Sequence, residues 1–328
     1  MSRVAVVVGV NHYPFIGALN GSVGDAKSVT SCLEQHQHGD QQRNFEVHEF
    51  LSESPESELT ASTLRHAVRT LFSARNDVAL FYFAGHGSLT DEGGYLMCSD
   101  SQSSEDGLPL DHVVEWAMNS PATHRIIVLD CCHSGSAGDR SILGGRTMIA
   151  EGVTILAAST RKGDSFENQN GGVFTTLFCD ALNGAAANLL GEVTPGSVYA
   201  HIDQSLGKLV QRPVFKTSVQ SFVSLRDVSP PIALADLRKI TSIFEDPNTA
   251  IALDPSFEPE RPIPKFPDAP EPDEENTKVF ATLQAFNHVN LVVPVDAPHM
   301  WHAAVQSKSA RLTTLGRHYW RLVKSKRI

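Results

Sequence analysis

The residue types best suited to covalent chemistry in this 328-residue chain are a histidine and a cysteine, each following an apolar run. His86 stands in Phe81-Tyr82-Phe83-Ala84-Gly85-His86-Gly87, and Cys132 in Val128-Leu129-Asp130-Cys131-Cys132-His133-Ser134-Gly135. A free thiol has a pKa of about 8.5, and its thiolate is the attacking form. A nearby imidazole can take the thiol proton and later pass one to a leaving amine. Glycines on both sides of His86 let a backbone approach closely. The N–H groups of Gly87 and Cys132 are candidates to hold a developing oxyanion, a role whose loss costs about 10²–10³ in turnover.

For these groups to meet, the elements carrying them must be neighbours. Residues 1–228 contain the short apolar runs Val4–Val8, Val78–Phe83, Arg125–Asp130 and Val153–Ala157, separated by segments of helical length. Such runs predict an α/β fold with a mostly parallel sheet buried on both faces. Between them Leu64, Val68, Leu71 and Phe72 fall at the spacing of one packed helical stripe. Ligands bind outside the carboxyl ends of the strands in open α/β sheets. Both motifs are expected in loops that leave such ends.

Composition narrows the setting. Five cysteines (Cys32, Cys98, Cys131, Cys132, Cys179) with no CxxC fit neither a disulfide framework nor a zinc knuckle. A zinc site built from His86, Cys98, Cys131 and Cys132 would use adjacent cysteines, which chelate a tetrahedral ion poorly. Cys32, Cys98 and Cys179 read as small core residues. The run Val4–Val10 is too short for a secretory signal, and no apolar stretch approaches ~18 residues. A cytoplasmic, reducing compartment without a membrane partner is the expectation. The formal charge of −10 argues against wholesale coating of nucleic acid.

That charge is unevenly spread. From Glu245 to Asn276 the chain holds eight prolines and ten acidic residues, a composition that predicts an extended linker, placed at 229–277. A small module at 278–328 follows. Its last 32 residues carry seven cations and no acid, leaving −17 on residues 1–296.

The two chemical motifs, 46 residues apart, resemble those of the caspase and metacaspase superfamily of cysteine peptidases. Further segments carry the likeness in order: "GALNGSVGDAKSV", "TILAAST", "GGVFTTLF" and "QRPVF". The resemblance spans about residues 3–228 and implies a caspase-like three-layer sandwich. It assigns His86 as the catalytic histidine and Cys132 as the nucleophile of the metacaspase form Asp-x-Cys-His-Ser-Gly. Cys131 is the alternative nucleophile, and His133 reads as structural. The resemblance further implies that Asp25 and Asp130 line the first specificity pocket and select arginine or lysine. Two carboxylates suit a guanidinium, which they bind through charge-assisted, bidentate hydrogen bonds. The rival roles are an N-cap for Asp25 and a loop-amide acceptor for Asp130.

Peptides or proteins with basic residues at the cleavage site are the implied substrates. The exposed stretch Ser136–Met148, with Arg140 and Arg146, is then a candidate for self-cleavage, and Ser159–Asn170 for a cleft wall. Calcium is a cofactor that some metacaspases need, and no EF-hand loop decides the matter here. The tail "SARLTTLGRHYWRLVKSKRI" resembles the end of small winged-helix modules. Arg317, Tyr319 and Trp320 could contact a nucleotide or nucleic acid there. By resemblance to bacterial caspase-like proteases, the module would gate the peptidase through a partner protein or nucleotide signal, in defence or programmed death. The competing readings are an inactive caspase-fold scaffold and a regulator acting through its basic tail.

Overall fold

The computed structural model describes residues 2–37, 42–133, 149–158, 167–168, 171–207, 212–259 and 270–328, with Cys132, His133, Glu167, Asn168 and Gly171 by backbone alone. The chain divides into two units, Met1–Ser229 and Pro230–Ile328.

The first unit begins β1 (Arg3–Val10), α1 (Ser22–Glu34), β2 (Glu46–Ser52), α2 (Ala61–Ser73), β3 (Val78–Leu89), β4 (Gly94–Leu96) and β5 (Leu108–Pro109). Next come α3 (Leu110–Met118), β6 (His124–His133), β7 (Val153–Ala157), β8 (Glu167–Asn168), β9 (Gly171–Gly172) and α4 (Val173–Asp180). It closes with β10 (Glu192–Val193), α5 (Pro195–Ser205), β11 (Val214–Ser218) and β12 (Arg226–Asp227). The main sheet has the order β11-β7-β6-β3-β1-β2. Its pairings are parallel except for β11 against β7.

Strand alternation builds both cores. Val6, Val8 and Val10 of β1 join α2 and α3 in one apolar layer. Ala5 and Val7 join α1, α4 and α5 in the other. Side chains alternate faces along a strand, so an unbroken β-branched run can feed two layers at once. The α2 stripe Leu64, Val68, Leu71 and Phe72 is buried as its spacing predicts, and Thr60 caps that helix by accepting from the Thr63 N–H.

Two strands run further than their apolar runs. β3 continues six residues past Phe83, to Leu89, and β6 continues through His133. Pairing persists to Gly87↔His133, and Gly87–Leu89 also pair with β4. His86 and Cys132 therefore lie in strand extensions rather than in loops. The reason is backbone pairing, which small and polar residues sustain as long as a partner strand is present.

The second unit contains α6 (Leu234–Arg238), α7 (Ile240–Ile243), β13 (Ile251–Ala252), α8 (Glu274–His288), β14 (Val292–Val295), α9 (Met300–Val305), β15 (Ser309–Leu312) and α10 (Thr314–Lys324). Its three-stranded antiparallel sheet has the order β13-β15-β14. This corrects the linker expected at 229–277. Phe244, Leu253 and Phe257 are buried, and Ile251 and Ala252 pair with β15. Proline content obscured this because Pro247 and Pro255 flank β13 and spare its backbone donors. Asp273 caps α8. Residues 260–269, with Pro262, Pro264 and Pro267, lie outside the described residues. Among the described residues no helix is long and apolar enough to cross a membrane.

Candidate active site

The carboxyl ends of β3 and β6 carry the chemical residues. Their parallel register pairs Ala84 with Asp130, Gly85 with Cys131, and His86 with Cys132. Neighbouring strands lie about 4.8 Å apart, so the backbones of His86 and Cys132 are adjacent across one strand spacing. Gly87 follows in register with His133 on one side and Leu96 on the other. Cys131 is buried in the apolar layer shared with α2 and α3. That position suits a packing residue far better than a nucleophile.

His86 is held from the segment that follows β1. Its Nε2 lies 2.9 Å from the Gly17 carbonyl oxygen. A carbonyl only accepts, so Nε2 carries the proton and Nδ1 is the basic nitrogen of the neutral ring. The ring packs on Tyr13 at a centroid distance of 4.7 Å. The His86 backbone N–H donates to the Tyr13 hydroxyl at 2.9 Å, and that hydroxyl donates to the Met97 carbonyl at 3.3 Å. Burial pushes the Tyr13 pKa up, so the phenol remains a neutral donor. Gly85 makes this approach feasible, because a Cβ there would stand 2.5 Å from the Tyr13 hydroxyl.

Asp25 and Asp130 come together from different elements. Asp25 sits in the first turn of α1 and is 8% exposed. It does not cap its own helix. Its carboxylate accepts from the Gly172 N–H, at 3.1 Å to Oδ2 and 3.3 Å to Oδ1. Gly172 is the N-cap of α4. Asp130 accepts at Oδ2 from the Thr175 hydroxyl at 2.5 Å, and that hydroxyl accepts from the Tyr82 hydroxyl at 2.5 Å. A Cβ on Gly172 would meet Asp130 Oδ2 at 2.9 Å and Asp25 Oδ2 at 3.3 Å, so the two carboxylates flank one point. Burial raises the Asp130 carboxyl, opposed by its bonds from Thr175. The Tyr82 hydroxyl is raised by burial and then by the charges of Asp130 and Asp25.

Chemically, this edge joins a thiol-bearing strand position, an imidazole of defined tautomer and a pair of converging carboxylates. Tyr13, Gly17, Tyr82 and Thr175 were not among the residues expected from sequence. Tyr13 had a signal, since it follows the carboxyl end of β1 by three residues. The Gly17 role is a backbone carbonyl and leaves no side-chain signature.

The remaining candidates divide. Arg317 donates to the Leu312 carbonyl at 3.3 Å and to Thr314 Oγ1 at 3.2 Å. The Trp320 indole N–H donates to the Phe244 carbonyl at 2.7 Å, with Lys324 over its ring at 5.7 Å. Both are thus engaged within the second unit, beside Tyr319 on α10. The Leu-Thr-x-x-Gly-Arg run there has a packing explanation: Thr313 caps α10, and a Cβ on Gly316 would collide with the Leu291 carbonyl. Arg140 and Arg146, and most of Ser159–Asn170, lie outside the described residues. Among the described residues, no group of three or more His, Cys, Asp or Glu is placed to hold a metal ion, so no calcium site is assigned.

Comparison with known proteins gives the family. Metacaspase-1A of Aspergillus oryzae is 26% identical over 154 residues, covering 42% of this chain and 36% of that protein. Metacaspase-1 of Ajellomyces capsulatus is 28% identical over 153 residues, covering 42% of each. The chain spans about two fifths of the length of these curated relatives. A solved structure, described as the structure of pro-sf-caspase-1, superimposes with a TM-score of 0.48 at 12% identity, over 68% of this chain and 94% of that one. The family model Peptidase C14, caspase domain, matches residues 2–223. With about two thirds of its length matched and an α/β sheet that carries a His and a Cys in register, the chain belongs to the caspase-domain family of C14 peptidases.

Proposed function

We propose that this protein is a cysteine endopeptidase that cleaves after arginine or lysine, with Cys132 as nucleophile and His86 as acid/base. The observation that carries the reading is the register of β3 and β6, which pairs His86 with Cys132. In this mechanism the Cys132 thiolate attacks the scissile carbonyl and forms a thioester. His86, with Nε2–H bound to Gly17, exchanges the proton through Nδ1 and delivers it to the leaving amine. The N–H groups of Gly87 and Cys132 receive the oxyanion. Water then hydrolyses the thioester.

Substrate choice follows from the carboxylates. Asp25 and Asp130 flank one point, and a guanidinium there would offset the cost of keeping both ionised. An aspartate side chain would add a third negative charge. The test is turnover of Arg-ending, Lys-ending and Asp-ending reporter peptides by wild type and Cys132→Ala, with and without calcium. Faster cleavage after Asp would overturn the pocket reading. Turnover retained in Cys132→Ala would overturn the nucleophile.

The second unit is proposed as the regulatory part, answering to an anionic signal in defence or cell-death signalling. One observation favours an anion: Arg238, Lys326 and Arg327 border one open surface depression within that unit. Calorimetric titration of the full chain with nucleotides and with duplex DNA at two salt concentrations tests this. A strong salt slope with DNA alone would favour nucleic acid, and no binding of either would remove the ligand reading.

A further inference from the structure

The remaining cysteines are not equivalent. Cys98 is buried, and burial pushes its thiol up, as expected for an inert core residue. Cys32 on α1 and Cys179 on α4 are different, because the two helices pack together and their thiols are close enough to act on each other. Both are reduced. Cys32 Sγ also lies 3.8 Å from Asn183 Oδ1, which in turn accepts from Arg226 at 2.6 Å. The neighbouring Cys179 and the Arg226 charge favour the Cys32 thiolate, against the opposing effect of burial. Cys179 is partly exposed and is pushed the other way, by the neighbouring Cys32 and by burial.

These thiols sit on the helix faces that carry the carboxylate recess. Cys32 follows Asp25 by seven residues on α1, and Cys179 follows Thr175 by four on α4. Both spacings return to the same helical face. Asp25 is close enough to Cys179 for its charge to act on that thiol. Any change in the α1–α4 contact at the thiols therefore bears on Gly172–Asp25 and Thr175–Asp130, one to two turns away.

We propose that Cys32 and Cys179 form a redox-sensitive dithiol that a hydroperoxide closes into a disulfide, tying α1 to α4 and weakening the grip of the Asp25–Asp130 recess on a basic side chain. Cys32 thiolate attacks the peroxide oxygen and cleaves the O–O bond, giving a sulfenic acid and an alcohol, or water from hydrogen peroxide. Cys179 then attacks the sulfenic sulfur, the S–S bond forms and water leaves. Two thiols are oxidised and one peroxide is reduced. A disulfide is about 2.05 Å long, so the two sulfurs must close to covalent distance, and this draws the helices together. The dithiol rests on the packing of α1 against α4 and on the contact of Cys32 with Asn183, one turn beyond Cys179. Its effect on substrate rests on the proposed recess.

The test begins with full-length Cys132→Ala protein, so that the nucleophile cannot contribute. A few equivalents of hydrogen peroxide are added, free thiols are blocked, and the digest is mapped. The expected product is a Cys32–Cys179 linked peptide, removed by dithiothreitol and missing from Cys32→Ser and from Cys179→Ser. No linked peptide, or one formed only after unfolding, overturns the proposal. With Cys132 restored, oxidation should raise KM for an Arg-ending peptide several-fold, reversibly, and the Cys32→Ser variant should not respond. Linkage with KM unmoved in a protein whose Asp25→Asn variant does lose affinity would overturn the coupling. If Asp25→Asn itself leaves KM unchanged, the recess reading fails while the linked peptide still establishes the dithiol.

Discussion

The two halves of the candidate site are built on different principles. The His86–Cys132 edge is a product of strand register, fixed by backbone hydrogen bonds between two consecutive neighbours of one sheet. The Asp25–Asp130 recess is a product of helix packing, since α1 supplies one carboxylate and the first turn of α4 supplies donors to both. Register is an all-or-none property, because a slip of one residue moves every side chain to the opposite face. Helix packing admits small shifts. Damage at the edge should therefore abolish turnover, whereas damage at the recess should tune affinity and selectivity.

The largest effect belongs to the edge. Cys132→Ala and His86→Ala should each lower kcat by roughly 10³-fold or more, and the double variant should lose little beyond either single one. Additive losses in single-turnover kinetics would show that the two residues do not act as one unit.

Next comes the recess. Asp130→Asn should raise KM for an Arg-ending peptide by about 30-fold or more, as expected when one partner of a buried charge pair is removed, with kcat changed much less. Its stability should move the other way. Because burial raises the Asp130 carboxyl, the folded protein holds that proton to higher pH than the unfolded chain does. The stability this contributes is fully present below the ordinary carboxylate range and is lost as pH rises through the folded pKa. Relative to wild type, Asp130→Asn should therefore gain stability as pH rises from 4 to 8, measured by urea denaturation. Equal pH profiles for the two proteins would contradict a buried, raised carboxyl.

The same carboxyl sets a pH dependence of binding. A guanidinium prefers the ionised recess, so KM for Arg-ending peptides should rise as pH falls through the raised Asp130 pKa. The rise should vanish in Asp130→Asn. A profile unchanged by that substitution would assign the dependence to another group.

The smallest effect tests how the edge is braced. Tyr13→Phe removes the acceptor of the His86 N–H and a donor to Met97, at an expected cost of about 1–3 kcal/mol in stability. As a positioning residue rather than a chemical one, it should lower kcat about tenfold without moving KM. Gly85→Ala, whose Cβ would press on that hydroxyl, should show the same pattern. A change in KM alone would place Tyr13 in substrate binding instead.

Much of this was legible in the residues. β7 lies exactly where its β-branched run falls, and the α2 stripe is buried at all four expected positions. The His and Cys motifs were legible as chemistry because their residue types have few structural uses at the end of an apolar run. The strand extensions were not legible, since Gly-His-Gly and Cys-Cys-His have no β pattern and are extended because each pairs with the other, with β4 as a further partner of Gly87. The packed β13 region was hidden for a related reason. Proline and acid counts describe the average of a segment, whereas three buried apolar side chains and two ladder residues decide its fate.

The sequence by itself determined the α/β alternation and the nucleophile and base candidates, whereas Asp25 and Asp130 were marked as cation-binding only by the family resemblance. The alternation and the chemical candidates depend on residue type and on spacing within one element, and short-range physics reads both. Only the tertiary structure decided that Asp25 serves the start of α4 rather than its own helix, that Gly17 fixes the His86 tautomer, and that Cys32 meets Asn183, one turn beyond Cys179. Those three contacts join residues 69 to 151 positions apart. No local preference encodes such a contact, which exists only once the sheet has brought its flanking helices and loops together.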